Sequence, residues 1–146
     1  MNVAVLIARV IIGGVLLAAG ALKVGHFDWL ASEIAAYRIL PGNLVAPLAV
    51  GLPLIEILVG AYLIAGLYTR AAGWIALIEF VVFAAAITSV VVRGISAPCG
   101  CFGPGDVRPA SWNEVGRDVV LALITAFIIW RAPGALAVDS RLNPPA

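Results

Sequence analysis

Residues 71–92, AAGWIALIEFVVFAAAITSVVV, run for twenty-two positions with one charge, Glu79. A hydrocarbon core of about 30 Å is spanned by roughly 20 helical residues, so this stretch is long enough to cross a membrane. It is not alone. Val3–Leu22, Leu44–Leu67 and Trp112–Arg131 qualify by the same arithmetic. The 146-residue chain is 63% hydrophobic and 12% charged with a mean hydropathy of +1.10, far from the balance of a soluble domain. The expectation is an all-α integral membrane four-helix bundle over residues 1–131, followed by a poorly ordered tail over 132–146. The bilayer is its solvent, and no nucleic-acid partner is expected.

The connections refine this outline. Phe27, Leu30, Ile34 and Ala35 recur at helical spacing between His26 and Gly42, with Glu33 and Arg38 interspersed, which predicts a short interfacial helix stopped at Pro41-Gly42. Tyr68-Thr69-Arg70 is a tight link, so the second and third spans form an antiparallel pair. Pro47 falls in the first turn of the second span, where proline is tolerated, and Pro53 lies inside it and predicts a kink. Ser111-Trp112-Asn113-Glu114 has the pattern of a capping box opening the fourth span. No basic segment precedes the first apolar run and Arg9 interrupts it, so that run reads as a span rather than a cleaved signal.

Chemistry is concentrated in Cys99-Gly100-Cys101-Phe102-Gly103, which holds both cysteines of the chain. A bridge across one intervening residue needs a sharp backbone bend, which Gly100 permits. Such a small ring is expected to be strained, and strained or exposed disulfides are the labile and catalytic ones. Three readings of the pair stand side by side: a redox dithiol, a metal or metalloid ligand pair, and a bracing turn. Zinc and iron–sulfur sites want four ligands, and the chain offers only His26 besides this pair, so a metal would need a second chain. His26 is the available proton acceptor by its ordinary titration range. Arg117 and the fourth helix's N-terminus favour a thiolate, whereas Glu114 and Asp118 oppose it. Pro98, on the loop's entry side, suggests that Cys99 meets a partner and Cys101 faces inward.

A second cluster follows from depth. Counting about 1.5 Å per residue from the face that carries the cysteine loop, Arg9 lies roughly 20 Å below Leu22, Glu56 roughly 18 Å below Leu44 and Glu79 roughly 20 Å below Val92. Ionisable groups inside a bilayer normally pair with one another, so an Arg9–Glu56–Glu79 cluster is expected, either as a structural ion group or as a proton or quinone site.

Ala8-Arg9-Val10, Gly13, Gly14, Ala19-Gly20 and Lys23, Tyr37 through Leu40-Pro41, Glu56-Ile57-Leu58-Val59-Gly60, Cys99-Gly100-Cys101-Phe102-Gly103, and Trp112 with Arg117-Asp118 resemble the MauE branch of the DoxX-like membrane proteins, over about Ala8 to Leu123. The helix patterns are shared with DoxX-like proteins generally, and the cysteine motif is the discriminating part. The resemblance implies a role in maturing extracytoplasmic proteins, for MauE itself the disulfide-rich small subunit of methylamine dehydrogenase, and an extracytoplasmic cysteine loop in a multi-pass protein of the inner (plasma) membrane. Charge does not decide orientation: Lys23, Arg38, Arg93 and Arg108 on the loop face nearly balance Arg70, Arg131, Arg141 and the amino terminus.

The resulting expectation is a thiol–disulfide oxidoreductase. Cys99 and Cys101 exchange with an extracytoplasmic thioredoxin-fold protein or a cysteine-containing client, His26 assists, and a membrane quinone held near Arg9, Glu56 and Glu79 takes the electrons. The alternative is a non-enzymatic accessory subunit whose cysteine loop braces its surface.

Overall fold

The apolar stretches form helices that begin and end within a few residues of the expected bounds. The computed structural model describes residues 2–142, with helices α1 (Val3–Lys23), α2 (Phe27–Ala36), α3 (Gly42–Ala65), α4 (Thr69–Val92), α5 (Trp112–Arg131) and α6 (Val138–Leu142). No strand occurs among the described residues, only an isolated bridge between Pro98 and Pro109. Three helices, α1, α3 and α4, are long and apolar enough to cross a membrane. Their outward side chains stay apolar, with Leu58, Ile78 and Val82 exposed, as expected where lipid rather than water is the surroundings. The 20-residue α5 has Glu114, Arg117 and Asp118 in its first two turns.

Helix α1 packs on α3 and α5, and α4 packs on α5 and α3. The core between them is built from Ile12, Leu16, Val59, Leu63, Ala76, Phe80 and Ile128. The α1–α3 crossing is close because glycines meet there. A Cβ on Gly13 would stand 2.7 Å from the carbonyl oxygen of Gly60, and one on Gly20 would stand 2.7 Å from that of Pro53. Between apolar helices in lipid, backbone approach of this kind supplies the packing attraction that a hydrophobic force cannot. The crossing also sets the register. Arg9 comes opposite Leu63 and Ile64, roughly two helical turns further from the cysteine loop than Glu56.

That register overturns the expected Arg9–Glu56–Glu79 cluster. Depth counting placed the loop-side ends of the first two spans flush, whereas α3 begins at Gly42 and Gly20 packs beside Pro53, so α3 extends well beyond α1 on that side. Arg9 is fully buried and donates to four carbonyl oxygens, of Leu63 (2.9 Å), Ile64 (3.2 Å), Pro133 (3.0 Å) and Ala135 (3.0 Å). The earlier helix start also puts Pro47 inside α3 rather than in its first turn. The helix continues through both Pro47 and Pro53, which leaves the carbonyls of Asn43 and Ala49 without their helical N–H partners.

Residues 132–142, expected as a tail, are tied to the end of the helices opposite the cysteine loop. Besides the Arg9 bonds, Asp139 accepts from the backbone N–H groups of Tyr68 (2.8 Å) and Thr69 (2.7 Å). This carboxylate satisfies free donors at the N-terminus of α4, where negative charge is favoured. Residues 143–146 of the expected tail lie outside the described residues. At the other end, α5 starts with the expected capping box: Asn113 N–H donates to Ser111 Oγ and Ser111 N–H to Glu114 Oε2.

Candidate functional site

The cysteine loop connects α4 to α5 and is fastened at several points. Cys99 N–H donates to the Arg108 carbonyl (3.0 Å) and Ala110 N–H to the Ala97 carbonyl (2.9 Å), which closes its two arms into a short ladder. Two glycines explain the motif. Gly100 has φ +66°, a left-handed conformation that turns the chain between the cysteines, and Gly103 has φ +84°. A Cβ on Gly103 would stand 2.8 Å from the Leu22 carbonyl oxygen, so this glycine lets the loop seat on the last turn of α1.

Cys99 and Cys101 form a close pair with Cα atoms 5.3 Å apart and their sulfurs at bonding distance. Arg117, from the second turn of α5, reaches across them. Its Nη2 lies 3.1 Å from Cys101 Sγ and 3.8 Å from Cys99 Sγ, and its guanidinium stacks 5.3 Å from the centroid of the Phe102 ring. Asp118 orients this arginine by accepting from Nε (3.0 Å) and Nη2 (2.9 Å) at Oδ1. The arrangement is that of a cation held against two sulfurs, which stabilises either sulfur as a thiolate.

Helix α2 supplies the opposite wall. Trp29, Glu33 and Tyr37 recur at a spacing of four and therefore share one helix face. The Tyr37 hydroxyl lies 2.9 Å from the Cys99 carbonyl and 3.1 Å from that of Pro98. Burial first, and the neighbouring carboxylates Glu33, Asp118 and Glu114 next, push this phenol up to about 12, so it stays a neutral donor to the loop. Glu33 lies beside Gly100, its Oε2 is buried without a hydrogen-bond partner, and burial pushes its carboxyl above the usual range. Arg93, at the end of α4, donates to the Tyr37 carbonyl and so ties α2 to the start of the cysteine loop.

Behind the sulfurs, α2, α3, α4 and the loop enclose a cavity of about 370 Å³. Its lining is mostly Leu, Ile, Val and Phe, with Lys23, Glu33 and Tyr37 as the polar exceptions and Cys99, Gly100 and Cys101 along one side. Lys23 is buried at the end of α1 and pairs with Glu56 through both carboxylate oxygens, at 2.8 and 3.0 Å. The helix geometry makes this pair natural: α1 and α3 are antiparallel, side chains lean toward their own N-terminus, and so Lys23 and Glu56 lean toward each other. Phe83 of α4 lies under the ammonium, 5.6 Å from Nζ to the ring centroid. One turn earlier on α4, Glu79 is buried, and neither of its carboxyl oxygens has a hydrogen-bond partner among the described residues.

A family model described as methylamine utilisation protein MauE matches residues 1–131, which take in every residue of this site. The chain belongs to the MauE family. It is 30% identical over 129 residues to the methylamine utilization protein MauE of Paracoccus denitrificans, covering 88% of this chain and 69% of that one. The corresponding protein of Methylorubrum extorquens is 34% identical over 124 residues (84% and 67%), and that of Methylophilus methylotrophus 34% over 115 residues (78% and 58%). No solved structure matches.

In this MauE-family chain the structure redistributes the residues expected from sequence. Cys99 and Cys101 are brought together, and Glu56 and Glu79 share one buried layer. Lys23 takes the place of Arg9 as their cation. His26 sits exposed at the N-cap of α2, makes no side-chain cap hydrogen bond and does not line the cavity; Glu33 of the same helix lines it beside Gly100. The two cysteines also exchange their expected exposure: Cys99, held by Tyr37 and Arg108, is buried, and Cys101 is the more exposed residue. The sequence alone does not tie Glu33 and Tyr37 to the sulfurs, although their spacing with Trp29 is a visible signal of one shared face.

Proposed function

We propose that this protein is a membrane thiol–disulfide oxidoreductase that oxidises dithiols of an extracytoplasmic partner. The observation that carries the reading is Arg117 Nη2 at 3.1 Å from Cys101 Sγ, with the second sulfur at 3.8 Å: a guanidinium against a close cysteine pair stabilises the thiolate that exchange must release. In this reading α5 is a fourth span beside α1, α3 and α4. Helix α2 lies at the interface, and the cysteine loop is presented outside the cytoplasm, where thiol oxidation belongs. The relatives' names point to methylamine utilisation, and the resemblance to the MauE branch to a cysteine-rich client or a thioredoxin-fold carrier.

The exchange runs as follows. A thiolate of the partner attacks Sγ of Cys101, the more exposed residue of the pair, and the Cys99–Cys101 bond breaks with Cys99 leaving as a thiolate beside Arg117. The partner's second thiol then attacks the mixed disulfide and releases Cys101. The partner has lost two electrons and gained a disulfide, and the cysteine pair is reduced. A membrane electron acceptor must restore it.

Trapping tests this order. Replacing the resolving cysteine should preserve the mixed disulfide, so Cys99→Ser should accumulate a Cys101-linked adduct on non-reducing gels of cells, and Cys101→Ser much less. An adduct from Cys101→Ser alone would reverse the order of attack. Absence of an adduct from either variant would leave the accessory-subunit reading, in which the loop only braces the surface.

A further inference from the structure

We propose that the cavity between α2, α3, α4 and the cysteine loop is the binding site of a membrane para-quinone, which reoxidises the reduced Cys99–Cys101 pair; this rests on the thiol–disulfide reading. Sequence depth placed a quinone beside Arg9, Glu56 and Glu79, but Arg9 is committed to four carbonyl oxygens at the other end of α3. The cavity offers what the reaction needs in one place.

Its occupant must take two electrons and two protons from a dithiol, dissolve in hydrocarbon and carry hydrogen-bond acceptors. The volume of about 370 Å³ falls within the range of small-molecule sites and accommodates a substituted quinone ring with the start of its prenyl tail. Cys99 and Cys101 are among the residues of one wall, so no relay of further thiols is required. Lys23 presents an ammonium with three donors, of which Glu56 accepts two, leaving one for a quinone carbonyl oxygen. Glu33 brings a buried carboxyl oxygen without a partner to the same wall as Gly100. At the rim, Ile39, Leu40 and Leu48 are exposed apolar side chains, an exit through which a prenyl tail reaches the acyl chains of the bilayer.

The step balances. The Cys99 and Cys101 sulfurs give up two electrons as the Sγ–Sγ bond forms, and the quinone accepts them together with the two thiol protons at its oxygens. It departs as the quinol. Glu33 passes one thiol proton to the nearer quinone oxygen; Lys23, bonded to the other carbonyl, donates a proton to it and takes up the second thiol proton, so that both side chains end in their starting states.

The test uses the full chain in lipid nanodiscs, reduced with dithiothreitol, freed of it, and mixed anaerobically with ubiquinone bearing one isoprene unit or with menadione. Loss of thiols is read by maleimide gel shift and quinol by absorbance. The expected result is one quinol per re-formed disulfide. Ala86→Phe, which fills the cavity from α4, and Leu48→Trp, which closes its rim, should slow reoxidation by about tenfold or more. Reduction of the oxidised pair by dithiothreitol should be unchanged in both variants. Should Ala86→Phe not accumulate, Leu48→Trp decides alone. Wild-type protein that exchanges with dithiothreitol yet forms no quinol overturns the quinone site and leaves the exchange reading standing. Quinone reoxidation at the wild-type rate in the variants overturns the cavity as the site. A pair that neither exchanges nor is oxidised overturns both.

Discussion

The Lys23 ammonium lies 2.8 Å from Oε1 of Glu56, with the two side chains 2% and 1% exposed. In so dry a setting each charge is tolerable only because of the other. Removing one partner of a buried pair typically costs about 3–5 kcal/mol, whereas replacing both by apolar residues of similar volume is often neutral or better. Lys23→Met and Glu56→Leu should therefore each lower protein abundance and thermal stability in detergent, and the double variant should recover most of the loss. Additive damage in the double variant would show that the two side chains are not energetically coupled.

Arg117 should set how oxidising the cysteine pair is. A cation beside the sulfurs stabilises the reduced, thiolate form, which raises the reduction potential. Losing one pK unit of thiolate stabilisation is about 1.4 kcal/mol, or roughly 30 mV for a two-electron couple. Arg117→Ala should lower the potential by about that much or more and raise the thiol pKa, both read by equilibration in glutathione buffers and by the pH dependence of alkylation. Arg117→Lys should retain part of the effect, because the charge remains but the planar fork that serves both sulfurs and Asp118 does not.

Glu33 on α2 and Tyr37 at its C-cap give the loop a defined pH response. Tyr37 is held up at about 12, above the free value near 10, so the contribution of its hydroxyl is complete below pH 10 and is lost as the pH rises through 12. Tyr37→Phe should cost about 1 kcal/mol, the worth of one hydrogen bond, and should remove the alkaline loss of loop protection measured by hydrogen exchange at Cys99 and Ala110. Glu33 is also raised, by burial, so its neutral form stabilises the fold below the free carboxyl value and that contribution fades as the pH climbs through the folded one. Glu33→Gln should consequently be at least as stable as the parent at neutral pH while slowing proton-coupled reoxidation of the cysteines.

Gly103→Ala should unseat the cysteine loop. The left-handed φ of +84° is strained for alanine, and the added Cβ would meet the Leu22 carbonyl at 2.8 Å, a backbone atom that cannot rotate away. A cost of about 1–3 kcal/mol is expected, visible as faster alkylation of Cys99 after reduction. Gly105→Ala, where a Cβ meets nothing within 4 Å, is the control and should leave alkylation unchanged.

The membrane character, the helices and their ends, the capping box at Ser111 and the cysteine motif were all legible in the linear chain, because each depends on composition or on contacts within a few residues. Long apolar runs can satisfy their backbone only as helices in lipid, wherever their neighbours lie. Which charge meets which depends instead on how far one helix slides along another. That slide was decided by Gly13 against Gly60 and Gly20 against Pro53, contacts whose register no local pattern reveals. It carried Arg9 to the carbonyls of Leu63, Ile64, Pro133 and Ala135 and left Glu56 to Lys23. The same tertiary packing folded residues 132–142 back onto α3 and α4 and turned Glu33 and Tyr37, rather than His26, toward the sulfurs. The sequence by itself determined the apolar helices and the cysteine motif between them; only the packing of helix on helix decided which residues surround that motif, because a buried charge takes whichever partner the closest backbone approach brings within reach.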